Sequence, residues 1–224
     1  MPRAKRLMDL GLLALLAPVL LPLLGGLAVL LLLRQGRPVF FGSERMRSPQ
    51  EGFTLWKLRS MHGVTNDHGV SGGDKAARIT PLGRHLRRMR LDELPQMVNI
   101  LRGDISFVGP RPPLRSYVVA YPQIYGAVLR MPPGVTGLAS LVYAPHETRL
   151  LARCRSAAET DALYRRACIP RKARLDLIYQ RHQSLGFDLW LVGLTSARVI
   201  GLGGGTGRGG VRRLPRPPRW RKRH

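Results

Sequence analysis

Acidic residues are scarce in this sequence: 13 Asp and Glu stand against 37 Lys and Arg in 224 residues, a formal net charge of +24. So few carboxylates cannot neutralise the cations internally, and the chain needs an anionic partner. Cysteine is nearly absent. Cys154 and Cys168 form no CxxC pair and have no second cluster beside them, which argues against both a disulfide-framed secreted domain and a zinc module. The six histidines show no HxxxH or H-x-E spacing, so none is read as a metal ligand. No GxGxxG follows a strand and no Walker A sequence occurs, which leaves a Rossmann or P-loop nucleotide site unsupported. Aromatics make up only 6% of the chain, and Trp220 alone among Phe, Tyr and Trp lies in the basic C-terminal stretch. A stacking platform for single-stranded nucleic acid therefore lacks its residues.

What is present begins with an uncharged run of 24 residues, 10–33. As a helix at ~1.5 Å per residue it is long enough for a hydrocarbon core of ~30 Å. A plain spanning helix is one reading. Pro18 and Pro22 each remove a backbone donor and clash one turn back, and Gly25-Gly26 follows, so a break near Ala17-Pro18 is favoured. Basic residues flank both sides, Arg3, Lys5 and Arg6 before and Arg34 and Arg37 after. Since basic flanks prefer the cytoplasmic side, a re-entrant helix-break-helix satisfies both. A cleaved signal peptide fits less well, because the run is long and no A-x-A pattern follows it.

The rest of the chain reads as α+β, a mostly helical domain with a small β-hairpin. Residues 38–41 and 53–58 predict two strands around a polar turn. The glycine-rich 61–77 predicts a loop. Thr80-Pro81 opens a helix to about residue 90, and a second helix is expected over 92–102, stopped by Gly103. Helical pattern returns over 146–167 and 171–183, and 187–200 is apolar enough to lie on a core or a membrane surface. The domains expected are a membrane-embedded hairpin at 1–36, a catalytic domain at 37–200 and a disordered basic tail at 201–224, which alone carries +8.

The densest polar constellation is Arg84-His85-Leu86-Arg87-Arg88-Met89-Arg90-Leu91-Asp92-Glu93-Leu94-Pro95-Gln96. Asp92 and Glu93 have an ordinary explanation as a helix cap and a first-turn acid. They also have a chemical one, because a carboxylate among arginines stays ionised and the arginines hold phosphates bidentately. That arrangement suits a carboxylate nucleophile attacking phosphorus. Lys57, Arg59 and Arg111 are further cations at a strand end and in a proline-rigid turn.

Several motifs in order carry a resemblance: Lys5-Arg6-Leu7-Met8-Asp9, Pro38-Val39-Phe40-Phe41, Lys57-Leu58-Arg59-Ser60-Met61, Leu91-Asp92-Glu93-Leu94-Pro95-Gln96, Asn99, Gly103-Asp104, Val108-Gly109-Pro110-Arg111-Pro112 and Pro133-Gly134-Val135-Thr136-Gly137. The chain resembles the bacterial sugar transferases, the monotopic phosphoglycosyl transferases, in their minimal form. The resemblance implies transfer of a sugar phosphate from a UDP-sugar to polyprenyl (undecaprenyl) phosphate with Mg²⁺ and release of UMP. It places the chain on the cytoplasmic face of the bacterial inner membrane, among anionic headgroups, with no nucleic-acid partner. It implies Asp92 as nucleophile, through a covalent phosphosugar, and as metal ligand, with Glu93 as acid/base partner. Arg87 and Arg111 match its phosphate-binding positions, with Lys57 and Arg59 as weaker candidates. Ala17 stands where the family's re-entrant helix has serine before Pro18, and Ser43-Glu44-Arg45 replaces the usual Gln-x-Arg. These departures bear on the helix break and donor choice. A rival from another class, a non-catalytic membrane-tethered basic protein binding nucleic acid or anionic lipid, accounts for the charge and not for the ordered motifs.

Overall fold

The computed structural model describes residues 1–63 and 73–199. The expected tail at 201–224 and most of the loop at 61–77 lie outside the described residues. Helix α1 spans Arg3–Gln35 and contains both Pro18 and Pro22. The interruption expected at Ala17, Pro18 and Pro22 thus does not divide the element. The prolines lie on the exposed face, so each costs a backbone bond without disturbing the packed stripe opposite. That stripe recurs every three or four residues. Leu13, Ala17 and Leu20 pack with Leu55, Met97, Ile100 and Ile105, and Leu24, Leu27 and Leu31 pack with Leu58 and Leu86. The outward face is apolar as well, with Leu15 74%, Val19 68% and Leu33 78% exposed. It is a helix long and apolar enough to cross a membrane.

Both ends of α1 are fastened to the same domain. At the N-terminal end Arg6 donates to the carbonyls of Ile100 at 2.5 Å and Leu101 at 2.6 Å. Asp9 accepts from Ser106 Oγ at 3.0 Å and the Phe107 N–H at 3.1 Å. Lys5, buried, pairs with Asp188 at 2.7 Å, and Tyr179 also donates to that carboxylate. At the C-terminal end Gln35 donates to Thr80 Oγ1 at 3.1 Å.

The expected hairpin is present as β1 (Phe40–Met46) and β2 (Gly52–Leu58), paired antiparallel from Phe40↔Leu58 to Met46↔Gly52. Helix α2 (Pro81–Arg88) is capped by Thr80, which accepts from the Gly83 N–H. The single helix expected over 92–102 is instead a 3-10 turn, Leu91–Glu93, followed by α3 (Gln96–Arg102). Pro95 lacks the N–H that a continuous helix would use there.

Two three-residue strands, β3 (Ser106–Val108) and β4 (Gly134–Thr136), pair in parallel, a pairing the sequence did not suggest. Between them lie α4 (Arg115–Ala120) and α5 (Pro122–Val128). The helical segment expected from 146 starts earlier, at Leu138, and is split. It forms α6 (Leu138–Leu151), α7 (Ala157–Leu163) and a π-helical turn at Tyr164–Cys168 that runs into α8 (Ile169–His182). Finally α9 (Leu185–Val199) packs Phe187 and Leu191 on Val108 and Tyr179.

Candidate active site

The acidic pair sits on the 3-10 turn because Arg90, just before it, adopts the left-handed conformation at φ 56°. This reverses the chain after α2 and folds Arg90 back onto Glu93 at 2.9 Å. Two more cations arrive from distant elements. Lys57 comes from β2, 3.4 Å from Glu93, and Arg111 from the turn after β3, 2.7 Å from the same carboxylate. That turn is held rigidly. The Gly134 N–H donates to Pro110 O and the Gly109 N–H to Thr136 O, each at 2.8 Å. A Cβ on Gly134 would come within 2.1 Å of the Gly109 nitrogen, so only glycine allows the two segments to approach.

Glu93 and Asp92 are both buried, yet their surroundings differ. Both Glu93 oxygens are occupied, one by Lys57 and Arg111 and the other by Arg90. Burial by itself would raise its pKa, but the charges of Arg111, Lys57 and Arg90 outweigh that and hold the carboxyl well below the usual carboxylate range. Asp92 makes no hydrogen bond or ion pair among the described residues and is 6% exposed. Burial, then the neighbouring Glu93 charge, pushes its pKa up, while Lys57, Arg87 and Arg111 pull it back. Burial and Arg111 push Lys57 down to about 8, against Glu93 and Asp92.

The structure thus gathers Asp92, Glu93, Lys57 and Arg111, with Arg87 near enough for its charge to act on Asp92. Arg87 itself donates to the Met61 sulfur at 3.2 Å. Arg59 is placed elsewhere. Its guanidinium donates to the carbonyl of Gln35, the last residue of α1, and to those of the two residues after it, Gly36 at 2.9 Å and Arg37 at 3.1 Å. A cation is well suited to that end of a helix, and the hydrogen bonds of Arg59 go there and not to the acidic pair. β2 alternates sides, so Lys57 and Arg59, two residues apart, looked equivalent in sequence; the strand ends at Leu58, after which Arg59 follows the α1 end instead.

Sequence reasoning did not single out Arg90, which is one of several neighbouring arginines until its backbone conformation is known. Asn99, one of the motif residues, has a structural task that its place in the sequence does not reveal. Asn99 accepts from the Trp56 N–H at 3.2 Å and donates to Thr54 O at 2.8 Å and Asp104 at 2.9 Å, locking β2 to α3.

One carboxylate with no partner among the described residues, flanked by cations that a second carboxylate organises, is an arrangement suited to anionic phosphorus chemistry. No cluster of three or more His, Cys, Asp or Glu side chains that would hold a metal alone occurs among the described residues.

Comparison with known proteins bears on the same motifs. The chain is 35% identical over 145 residues to a UDP-N-acetylgalactosamine-undecaprenyl-phosphate N-acetylgalactosaminephosphotransferase of Aeromonas hydrophila, covering 62% of this chain and 34% of that protein. It is 35% identical over 195 residues to the UDP-glucose:undecaprenyl-phosphate glucose-1-phosphate transferase of Escherichia coli K12, covering 85% of this chain and 39% of that protein. It is 33% identical over 168 residues to the uncharacterized sugar transferase EpsL of Bacillus subtilis, covering 75% and 73%. The chain therefore spans little more than a third of the length of the first two relatives. With the bacterial sugar transferase family matched across residues 2–201, the chain belongs to the bacterial sugar transferases.

Proposed function

We propose that this protein transfers a sugar 1-phosphate from a UDP-sugar to polyprenyl (undecaprenyl) phosphate, releasing UMP, through a covalent intermediate on Asp92. The observation that carries this reading is the nearly buried Asp92 carboxylate, unpartnered among the described residues, beside cations held in place by Glu93. The relatives' names, which describe undecaprenyl-phosphate sugar phosphotransferases, support the reaction class.

In the first half-reaction the diphosphate takes over contacts from the Lys57, Arg90 and Arg111 cations, with Arg87 alongside. The Asp92 carboxylate attacks the sugar-bearing phosphorus, and the bond from that phosphorus to the bridging oxygen breaks. UMP leaves with the electron pair. In the second half-reaction a phosphate oxygen of the lipid acceptor attacks the same phosphorus. The Asp92–phosphorus bond breaks, the carboxylate is regenerated and a polyprenyl diphosphate sugar is formed. Cations fixed before the substrate arrives stabilise developing charge without reorganising at the moment of reaction. Glu93 serves this chemistry as the organiser of the cations, since both of its oxygens are already taken.

The residues present fit the expected Mg²⁺, which is commonly held by one or two carboxylates together with substrate phosphates and water. The free Asp92 carboxylate is the group to hold it, and when bound the ion supplies charge neutralisation at the leaving phosphate.

The anchor is α1. The two fastened ends and the apolar outward face support a monotopic placement, α1 lying along the bilayer side of the domain, with the catalytic domain on the cytoplasmic face of the bacterial inner membrane. Surface arginines meet anionic headgroups there. The acceptor's phosphate also lies at that depth.

The test is UMP release from UDP-sugars by purified protein with Mg²⁺ and polyprenyl phosphate. Wild type is expected to release UMP and form the lipid-linked product, and Asp92→Asn to do neither. Undiminished turnover by Asp92→Asn would sink the mechanism.

A further inference from the structure

β1 opens with two phenylalanines that remain uncovered. Phe40 is 44% and Phe41 49% exposed, and the first three residues of the strand are all exposed, where a half-buried strand would alternate. Pairing register decides what each ring stands beside. Phe41 pairs with Lys57 and Phe40 with Leu58. Residues directly opposite in an antiparallel pair share a face, their Cβ atoms about 4.5–5.5 Å apart.

Phe41 is therefore the neighbour of Lys57 on the face that carries the cation cluster. Phe40 points to the other face, with Leu58, and Leu58 packs among Leu24, Leu27 and Leu31 of α1. The two rings thus straddle the strand between the membrane helix and the active-site lysine. α1 also carries exposed apolar residues near its C-terminal end, Leu32 at 42% and Leu33 at 78%, seven residues before Phe40 in the case of Leu33. A short exposed apolar strip of two rings, with a residue packed on the apolar helix α1 at one side and a cation at the other, matches an amphiphile with an anionic head and a hydrocarbon tail.

We propose that Phe40 and Phe41 bind the isoprene units nearest the phosphate of the lipid acceptor and deliver that phosphate to Lys57. The identity of the acceptor rests on the function proposed above. The site belongs to the second half-reaction alone, because a UDP-sugar has no hydrocarbon tail to place on the strip.

The two half-reactions separate the outcomes. Exchange of labelled UMP into UDP-sugar needs no acceptor, and transfer to polyprenyl phosphate does. Phe41→Ser, alone and with Phe40→Ser, is expected to raise the KM for polyprenyl phosphate about tenfold or more, the size of effect lost with one well-buried apolar contact. Exchange is expected to change far less, and Phe41→Leu to restore most of the acceptor affinity. Parallel loss of exchange and transfer, or an unmoved acceptor KM, overturns the proposal.

A binding measurement keeps it open to refutation even if wild type exchanges with no UDP-sugar, the result that would defeat the proposed function itself. In detergent, undecaprenyl phosphate is expected to raise the wild-type Tm more than inorganic phosphate does, with farnesyl phosphate intermediate, and Phe41→Ser to erase the difference between them. Equal shifts for the three probes, or a difference that survives Phe41→Ser, overturn it.

Discussion

Replacing Glu93 with Gln keeps the side chain's shape and removes the charge that three cations share. Arg111 at 2.7 Å, Arg90 at 2.9 Å and Lys57 at 3.4 Å would then face one another across a neutral amide. Removing one member of a fully buried ion pair costs about 3–5 kcal/mol. Here Glu93 is 8% exposed, but its partners retain 21–36% of their side-chain exposure, and water screens part of the loss. A cost of about 2–3 kcal/mol follows. For a domain of this size that lowers Tm by about 4–12 °C. A second consequence is more telling. A bound diphosphate supplies the missing negative charge, so UDP should stabilise Glu93→Gln more than it stabilises wild type. Catalysis should still fall, by about tenfold to a hundredfold in kcat/KM, because the cations are no longer positioned before substrate arrives. Thermal unfolding with and without UDP, together with UMP-release kinetics, reads all three. A variant with wild-type Tm and a wild-type UDP shift would refute the reasoning that Glu93 organises the cluster.

Lys5→Met should be among the most damaging single changes away from the active site. Lys5 and Asp188 are 1% and 0% exposed at 2.7 Å, and stranding the aspartate should cost about 3–5 kcal/mol in thermal unfolding. Asp176→Asn should stabilise the protein at alkaline pH. Burial pushes Asp176 from 3.8 to about 7, Lys172 only partly opposing it, with the Tyr125 and Tyr179 hydroxyls as the other titratable neighbours. Because the folded pKa is the higher one, stability present below pH 4 is lost as pH rises through about 7. The advantage of the variant, at most about 4 kcal/mol, should be greatest at pH 8 and vanish near pH 4. A gap independent of pH would contradict the assignment.

Much of the local architecture was legible because local rules governed it. The Phe-Phe and Phe53–Leu58 runs formed the hairpin, and Thr80-Pro81 started α2 where a cap followed by proline should. Elements shaped by distant contacts were not legible. α1 stayed whole through two prolines because its opposite face is packed along the domain, and no local rule contains that packing. The β3–β4 pairing joins segments nearly thirty residues apart through glycines in contact, and their spacing alone does not reveal the partner.

The candidate site divides in the same way. Sequence alone determined which chemical groups are available: an acidic pair in a run of arginines, a rigid Gly-Pro-Arg-Pro turn, and a long uncharged helix that needs an apolar medium. These follow from composition, spacing and the fixed chemistry of each side chain. Only the tertiary structure decided how the groups are shared. It gave Lys57, Arg90 and Arg111 to Glu93 and left Asp92 without a partner among the described residues. It turned Arg59 away to the end of α1, and set Phe41 against Lys57. The reason is physical: charge neutralisation and burial depend on distances of a few ångströms between residues far apart in the chain, and folding fixes those distances.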